Sequence, residues 1–331
     1  MRSPRAVDQS QHIWPYIQIA RVDHWFKNVF MLLGVLLAFF YEPALFTWAG
    51  VLQIGGALLA TCLIASSNYV LNELLDAPSD RFHPVKKYRP VPSGKIQPTL
   101  ALLEWFLLGA SGAAIAFLIN HYFMAVALAL WVMGLVYNVP PVRTKEVPYL
   151  DVLSESVNNP LRLLLGWFAL IVDKLPPLSL ILAYWMVGAF FMATKRFAEY
   201  RRIDDPHRAA QYRKSFGYYT EERLLVSMFF YAAICALFAG IFIVRYHVEL
   251  ILFVPAAAGF FAYYLKLGLQ EDSPVQNPEK LFGERGFLLY MMLSTALFVL
   301  LMFTHVPVLY DLFNIEPSKI HPLWMLGTKA D

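Results

Sequence analysis

Residues 51–81 read VLQIGGALLATCLIASSNYVLNELLDAPSDR. Through residue 74 this run carries a single charged residue, Glu73. A helix of about 20 such residues crosses about 30 Å of hydrocarbon. The apolar residues are continuous rather than alternating, so a helix and not a barrel strand is the spanning form. The run then ends abruptly in Asn72, Glu73, Asp76, Asp80 and Arg81. A membrane helix that opens into a cluster of oxygen-bearing side chains sets both the fold and the place to look for chemistry.

The rest of the chain follows the same pattern. Of 331 residues, 58% are hydrophobic and 15% charged, with mean hydropathy +0.50, a mixture far from that of a soluble globular protein. Disorder, collagen and a coiled coil are excluded. Cys62 and Cys235, the two cysteines, both sit in apolar runs, which excludes a disulfide framework and a Cys-rich zinc site. A net charge of +3 indicates no nucleic-acid partner. Nine spans are expected, near 26–47, 51–74, 100–119, 123–136, 161–172, 178–193, 224–244, 250–265 and 287–304. With the N-terminus in the cytoplasm, all but Lys174, Arg245, Lys319 and Lys329 of the 27 Lys and Arg fall on the cytoplasmic side. That asymmetry obeys the positive-inside rule and puts the C-terminus outside. The expectation is an all-α integral membrane protein, one domain over 1–331, with cytoplasmic loops at 75–99 and 194–223. No cleavable signal peptide is visible. Within 1–25, Ile13, Trp14, Ile17, Val22 and Trp25 alternate with polar residues, as in an amphipathic interfacial segment.

Three cytoplasmic segments carry candidate chemistry. Asn72, Asp76 and Asp80 are spaced by four, which stacks them along one helix face; Pro78 is expected to break or kink that helix, so that Asp80 approaches from a loop. Such oxygen ligands suit Mg²⁺, which takes one or two carboxylates and completes its shell with substrate phosphates. Arg81, Lys86, Lys87, Arg89 and Lys95 follow at once, and carboxylates beside a basic loop fit a magnesium-diphosphate substrate. A solvated positive-inside loop is the plainer alternative. After the fourth span, Asp151, Glu155, Asn158 and Arg162 share a narrow arc if the helix is continuous. They line either a polar cavity or an interfacial ion-pair ladder. Lys195 and Arg196 leave the sixth span at the membrane edge, where lysine as a point charge and arginine as a fork would grip a phosphate. Glu199 is placed to hold Lys195. Topology alone accounts for Arg201, Arg202 and Arg208.

Together these segments resemble the UbiA superfamily of membrane prenyltransferases. Its Asn-Asp-x-x-Asp-x-x-x-Asp signature reads here Asn72-Glu73-x-x-Asp76-x-x-x-Asp80. The resemblance sharpens to the decaprenyl-phosphate phosphoribosyltransferase-like branch through Trp25-Phe26-Lys27-Asn28, Asp80-Arg81-x-His83-Pro84-x-Lys86-Lys87-x-Arg89-Pro90-x-x-x-Gly94 and Lys195-Arg196-x-Ala198-Glu199. Arg213-Lys214-Ser215, Tyr219-Thr220 and Pro278-Glu279 add to it. The departures are Glu73, where the family usually has aspartate, and Asn158-Asn159-Pro160 before Arg162. The second Asp-rich motif is reduced to Asp151 and Glu155.

The resemblance implies transfer of 5-phosphoribose from phosphoribosyl diphosphate to a polyprenyl phosphate, in cell-envelope biosynthesis at a bacterial inner or plasma membrane. Asn72, Glu73, Asp76 and Asp80 would hold Mg²⁺, and Arg81, Lys86, Lys87 and Arg89 the donor phosphates. Arg162, Lys195 and Arg196 would hold the acceptor phosphate; Asp151 and Glu155 join Asp76 and Asp80 as catalytic carboxylates. A homo-oligomer is compatible with the sequence. The alternative within the family moves an isoprenoid from its diphosphate onto an aromatic or other small acceptor. A transporter, or an inactive scaffold, is the remote one.

Overall fold

The computed structural model describes residues 10–81, 86–203, 205–276, 278–316, 323 and 325–326. Among them the chain forms helices, no strand and one isolated bridge, Lys174–Met325. In chain order the α-helices are α1 Ser10–Ile19, α2 Leu32–Tyr41, α3 Trp48–Asp80, α4 Pro98–Ile119, α5 His121–Asn138, α6 Leu150–Ser156 and α7 Asn158–Phe168. They continue with α8 Leu178–Ile203, α9 Pro206–Tyr212, α10 Glu221–Tyr246, α11 Val254–Gly268, α12 Arg285–Met302 and α13 Pro307–Leu312. The chain divides into two compact units, Met1–Thr144 with Leu161–Val172, and Lys145–Pro160 with Asp173–Asp331.

Eight segments among the described residues are long and apolar enough to cross a membrane, against nine expected. The difference is at 161–172. The helix there, α7, has 11 residues, about 16 Å of rise and roughly half the hydrocarbon thickness. The first candidate span is also longer than its apolar core suggested, running Ile13–Tyr41. It takes in a ten-residue 3₁₀ segment, Val22–Met31, ahead of α2. Within α1, Ile13, Trp14 and Ile17 remain exposed.

In the first unit α3 is the axis. Thr47 caps it by accepting the Gly50 N–H at 3.1 Å, and α4 and α5 pack on it as a hairpin. The approach is close: a Cβ at Gly112 of α4 would stand 2.9 Å from the Ala60 carbonyl oxygen of α3. Small residues at such crossings let membrane helices gain contact that hydrophobicity alone does not supply. Polar bonds lock the trio, with Trp131 Nε1 donating to Ser67 Oγ at 3.0 Å and Ser67 Oγ donating to the Trp105 carbonyl at 2.7 Å. At 33 residues, α3 rises about 50 Å, well beyond the hydrocarbon, so its polar C-terminal turns are carried clear of the apolar layer.

The second unit is built on the pairing of α8 with α10, joined by α6 and α11. Its core is aromatic: Phe190, Phe197, Phe216, Tyr264 and Phe287 are all buried in one cluster with Leu224. Thr220 caps α10 by accepting the Arg223 N–H at 3.1 Å; Glu221 and Glu222 sit in its first turn and Arg245 in its last. That charge order complements the helix dipole.

Candidate active site

Each of the two units carries its own polar cluster. In the first unit, α3 continues unbroken through Pro78 to Asp80, contrary to the expected break. Pro78 lies in the last turn, where its missing N–H removes one bond, to the Leu74 carbonyl, without disturbing the turns before it. Asn72, Asp76 and Asp80 therefore stay on one helix, with Asp76 and Asp80 separated by about 6 Å of rise.

Each of these three has a specific partner. The Asn72 amide donates to Asn138 Oδ1 at 2.6 Å. Asn138, the last residue of α5, is 3% exposed and donates to the Gly134 carbonyl at 2.9 Å. Arg143 donates from Nη2 to Asp76 Oδ1 at 3.0 Å and from Nη1 to the Asn138 carbonyl at 3.1 Å. Its backbone is in the left-handed region, φ 28°, a conformation a side-chain-bearing residue holds only when its surroundings fix it. Arg89 donates to Asp80 Oδ2 at 2.9 Å, and Lys86 Nζ stands 3.9 Å from Asp80 Oδ1. The ends of α3 and α5 and the loop after α3 thus form an acidic pair framed by three cations.

Glu73 does not join that pair. It is 4% exposed, and its Oε1 accepts the Val91 N–H at 3.1 Å, so it ties the basic loop to α3. Arg81 and Lys87 are exposed, Lys87 lying over the Tyr88 ring. Arg162 Nε donates to Asn28 Oδ1 at 2.9 Å, and the 1% exposed Asn28 donates onward to Cys62 Sγ at 3.2 Å. His83, Pro84, Lys319 and Lys329, and the side chains of Pro278 and Glu279, lie outside the described residues.

The second unit gathers three carboxylates around one guanidinium. Arg196, 2% exposed, directs Nε to Asp151 at 3.3 Å, Nη2 to Glu155 at 2.7 Å and Nη1 to Glu199 at 2.9 Å. Asp151 is fully buried and also accepts the Tyr219 hydroxyl at 2.6 Å and the Ser215 hydroxyl at 3.2 Å, with Arg213 Nε at 3.7 Å. The Tyr219 oxygen in turn accepts the Tyr149 N–H at 2.6 Å. Burial and then the Asp151 charge push the Tyr219 hydroxyl well above the ordinary tyrosine range, so it stays a donor. Tyr149 is raised as well, by burial and by Tyr218 beside it, and Tyr212 by burial and Glu199. Arg196 thus has all three of its nitrogens turned to carboxylates, and Glu199 holds Arg196 rather than Lys195 alone. Lys195 is half-buried.

The expected continuous polar face from Asp151 to Arg162 is interrupted. A turn at Val157 separates α6 from α7, because Pro160 has no N–H for the Ser156 carbonyl four residues back. Asp151 and Glu155 belong to the second unit and Arg162 to the first. Sequence reasoning gave no role to Asn138 and Arg143, 66 and 67 residues from their partners Asn72 and Asp76. Spacing cannot reveal contacts at that separation. Ser215 and Tyr219 had carried a signal, as matches to the branch pattern, without an assigned job.

Among the described residues no three His, Cys, Asp or Glu side chains gather as a ready cage for a divalent cation. Two carboxylates one turn apart, with an amide one turn before them, do match a cation that keeps water and takes its remaining ligands from substrate phosphates. Asn72, Asp76 and Asp80 fit that description. Glu73, committed to Val91, does not.

Comparison with known proteins shows the family and the fold. The model of the UbiA prenyltransferase family matches residues 27–291. An uncharacterized protein of Sinorhizobium fredii is 28% identical over 159 residues, 48% of this chain and 30% of that protein. A decaprenyl-phosphate phosphoribosyltransferase of Corynebacterium glutamicum is 30% identical over 215 residues, 62% of this chain and 59% of that protein. The chain therefore spans less than two thirds of either relative. A UbiA homolog from Archaeoglobus fulgidus, solved with GPP and Mg²⁺, shares the fold at TM-score 0.65 and 20% identity, over 87% of this chain and 98% of that one. The chain belongs to the UbiA prenyltransferase family and is a multi-pass membrane protein.

Proposed function

We propose that this member of the UbiA prenyltransferase family transfers 5-phosphoribose from phosphoribosyl diphosphate to a polyprenyl phosphate, releasing diphosphate at the cytoplasmic face. The observation that carries the reading is the acidic pair Asp76 and Asp80 at the end of α3, with Arg143, Arg89 and Lys86 turned onto it. Opposite charges so arranged suit a polyphosphate bound with a cation, since each substrate phosphate meets both a basic group and a carboxylate-held metal. The name of the Corynebacterium glutamicum relative supports the choice of donor and acceptor. Asn72, Asp76 and Asp80 would hold Mg²⁺, which when bound neutralises charge on the diphosphate oxygens. Arg89 and Lys86 would exchange Asp80 for phosphate oxygens as the donor enters, and exposed Arg81 and Lys87 would complete the basic wall.

In this reaction an acceptor phosphate oxygen forms a bond to ribose C1 as the bond from C1 to the diphosphate oxygen breaks. The acceptor is already an anion, so no general base is required, and alignment with electrostatics supplies the rate. The buried Asp151 cluster then has a positioning role. By gripping Arg196, Ser215 and Tyr219 it fixes the start of α6, the end of α8 and the 213–219 segment of the second unit. The test is purified protein in detergent with Mg²⁺, offered phosphoribosyl diphosphate and a polyprenyl phosphate, or a prenyl diphosphate and an aromatic acid. Release of diphosphate with the first pair supports the reading. Turnover confined to the second pair replaces it with transfer of an isoprenoid to a small acceptor.

A further inference from the structure

The 3₁₀ segment Val22–Met31 is unusual in its length. Ten residues of 3₁₀ helix exceed the three or four at which such runs normally stop, because their hydrogen bonds are poorer than those of an α-helix. With three residues per turn, side chains at i and i+3 eclipse, and the sequence resolves into three columns. Trp25, Asn28 and Met31 form the inward one: Trp25 Nε1 donates to Ser66 Oγ at 2.9 Å, and Asn28 and Met31 are 1% and 0% exposed. Asp23, Phe26 and Val29 form the outward one, with Phe26 and Val29 exposed. The third column is Arg21, His24, Lys27 and Phe30.

That third column stacks three basic side chains on one line. Arg21 Nη2 meets His24 Nε2, and Lys27 Nζ meets His24 Nδ1 at 3.1 Å, so two cationic donors converge on one imidazole. Asp23 lies 3.5 Å from Arg21 and 3.4 Å from His24 and is 66% exposed, so water screens it. The ring of Tyr69 on α3 holds His24 edge-on at 5.3 Å. Arg21 itself takes a left-handed backbone, φ 50°. In an α-helix the same three residues would fan apart by about 60° per step; here a costly backbone keeps them aligned. Below Lys27 the column turns apolar at the exposed Phe30. Donors crowded at the head of a column and an apolar face beneath are the two halves of an amphiphile's complement.

We propose that Arg21, His24 and Lys27 form a binding site for a phosphomonoester borne on an isoprenoid chain, with the phosphate across the three side chains and the chain along the Phe30 side. A phosphomonoester oxygen set accepts from all three donors at once, which the convergence of Arg21 and Lys27 on His24 brings within reach of one group. The same headgroup chemistry exists on the ribose of the donor, so the experiment separates lipid from sugar phosphate. The lipid assignment rests on the acceptor proposed above. Binding is measured without donor, cation or turnover, so an inactive transferase leaves this site standing, and failure here leaves the transferase reading standing.

The probes are geranyl phosphate, ribose 5-phosphate and inorganic phosphate, added to the full chain in detergent at fixed ionic strength. Acetylation of Lys27, followed by mass spectrometry on the unaltered protein, is the first readout, with exposed Lys280 as internal control. Geranyl phosphate is expected to slow Lys27 labelling several-fold, ribose 5-phosphate and inorganic phosphate to leave it unchanged, and Lys280 labelling to stay constant with all three. Lys27→Gln is then expected to weaken geranyl phosphate binding about tenfold, the loss of one charge-assisted contact, and Lys27→Arg to restore most of it. Equal protection by ribose 5-phosphate overturns the lipid assignment. Lys27 labelling unmoved by all three overturns the site, and that result needs no variant to fold.

Discussion

Replacing Arg196 separates a ligand for substrate phosphate from the hub of a buried network. In the structure its guanidinium is 2% exposed and meets Asp151, Glu155 and Glu199 at 3.3, 2.7 and 2.9 Å. Glutamine at this position leaves those carboxylates without their shared cation. Removing one partner of a buried ion pair costs about 3–5 kcal/mol. The Glu155 side chain is 33% exposed, so water screens its share, and the loss falls mainly on Asp151 and Glu199. At about 2–4 °C per kcal/mol for a unit of this size, Arg196→Gln should lower the melting temperature by roughly 6–20 °C in detergent. Arg196→Lys keeps the charge but replaces a planar fork with a point charge that cannot face three carboxylates, and should fall between. Adding Asp151→Asn to Arg196→Gln should recover part of the loss, because it removes an orphaned charge; a double-mutant cycle isolates that coupling. The opposite result is equally definite. If Arg196→Gln melts within about 2 °C of the parent while the KM for the polyprenyl phosphate rises, Arg196 serves substrate and the network reasoning fails.

Asp76→Asn should still accept the Arg143 N–H and so fold normally, yet lose at least about a hundredfold in turnover at saturating Mg²⁺; diphosphate release within a few-fold of the parent would refute its place at the cation. Glu73→Gln keeps an acceptor for the Val91 N–H and should leave both stability and the Mg²⁺ titration nearly unchanged, whereas Glu73→Ala should lose about 1–3 kcal/mol by orphaning that N–H. A Mg²⁺ midpoint shifted several-fold by Gln alone would return Glu73 to the metal. The raised Tyr219 hydroxyl sets an alkaline limit: above about pH 10 an unfolded tyrosine sheds its proton while the folded one keeps it, so stability falls as pH rises from there. Melting curves from pH 8 to 11 should show this decline, and it should be shallower in Tyr219→Phe.

What the sequence made legible, and what it hid, divides along the range of the interactions. Apolar runs and the placement of Lys and Arg are properties of contiguous residues, and they were enough to read a multi-pass helical bundle. The spacing of Asn72, Asp76 and Asp80 is local as well, and the one uncertainty, Pro78, was decided by its position in the last turn, where a proline removes least. The fifth expected span shows the limit of local reading. Residues 161–172 are apolar enough, but α7 starts only after the turn at Val157 and ends at Phe168, 11 residues in all. The roles of Glu73, Arg143 and Arg196 were hidden because each is set by a partner 18 to 67 residues away. Glu73 resembles its neighbours in every local respect and differs only in facing Val91. Arg196 looked like a phosphate fork at the membrane edge, and would be one if Asp151 and Glu155 pointed elsewhere. A charge count locates such residues; only their partners say whether the charge is available to a substrate or already spent within the protein. By that criterion the proposed phosphate site begins with Arg81 and Lys87, exposed after α3, while Lys86 and Arg89 must first release Asp80. Arg196 belongs with the groups that hold the protein in place for the reaction.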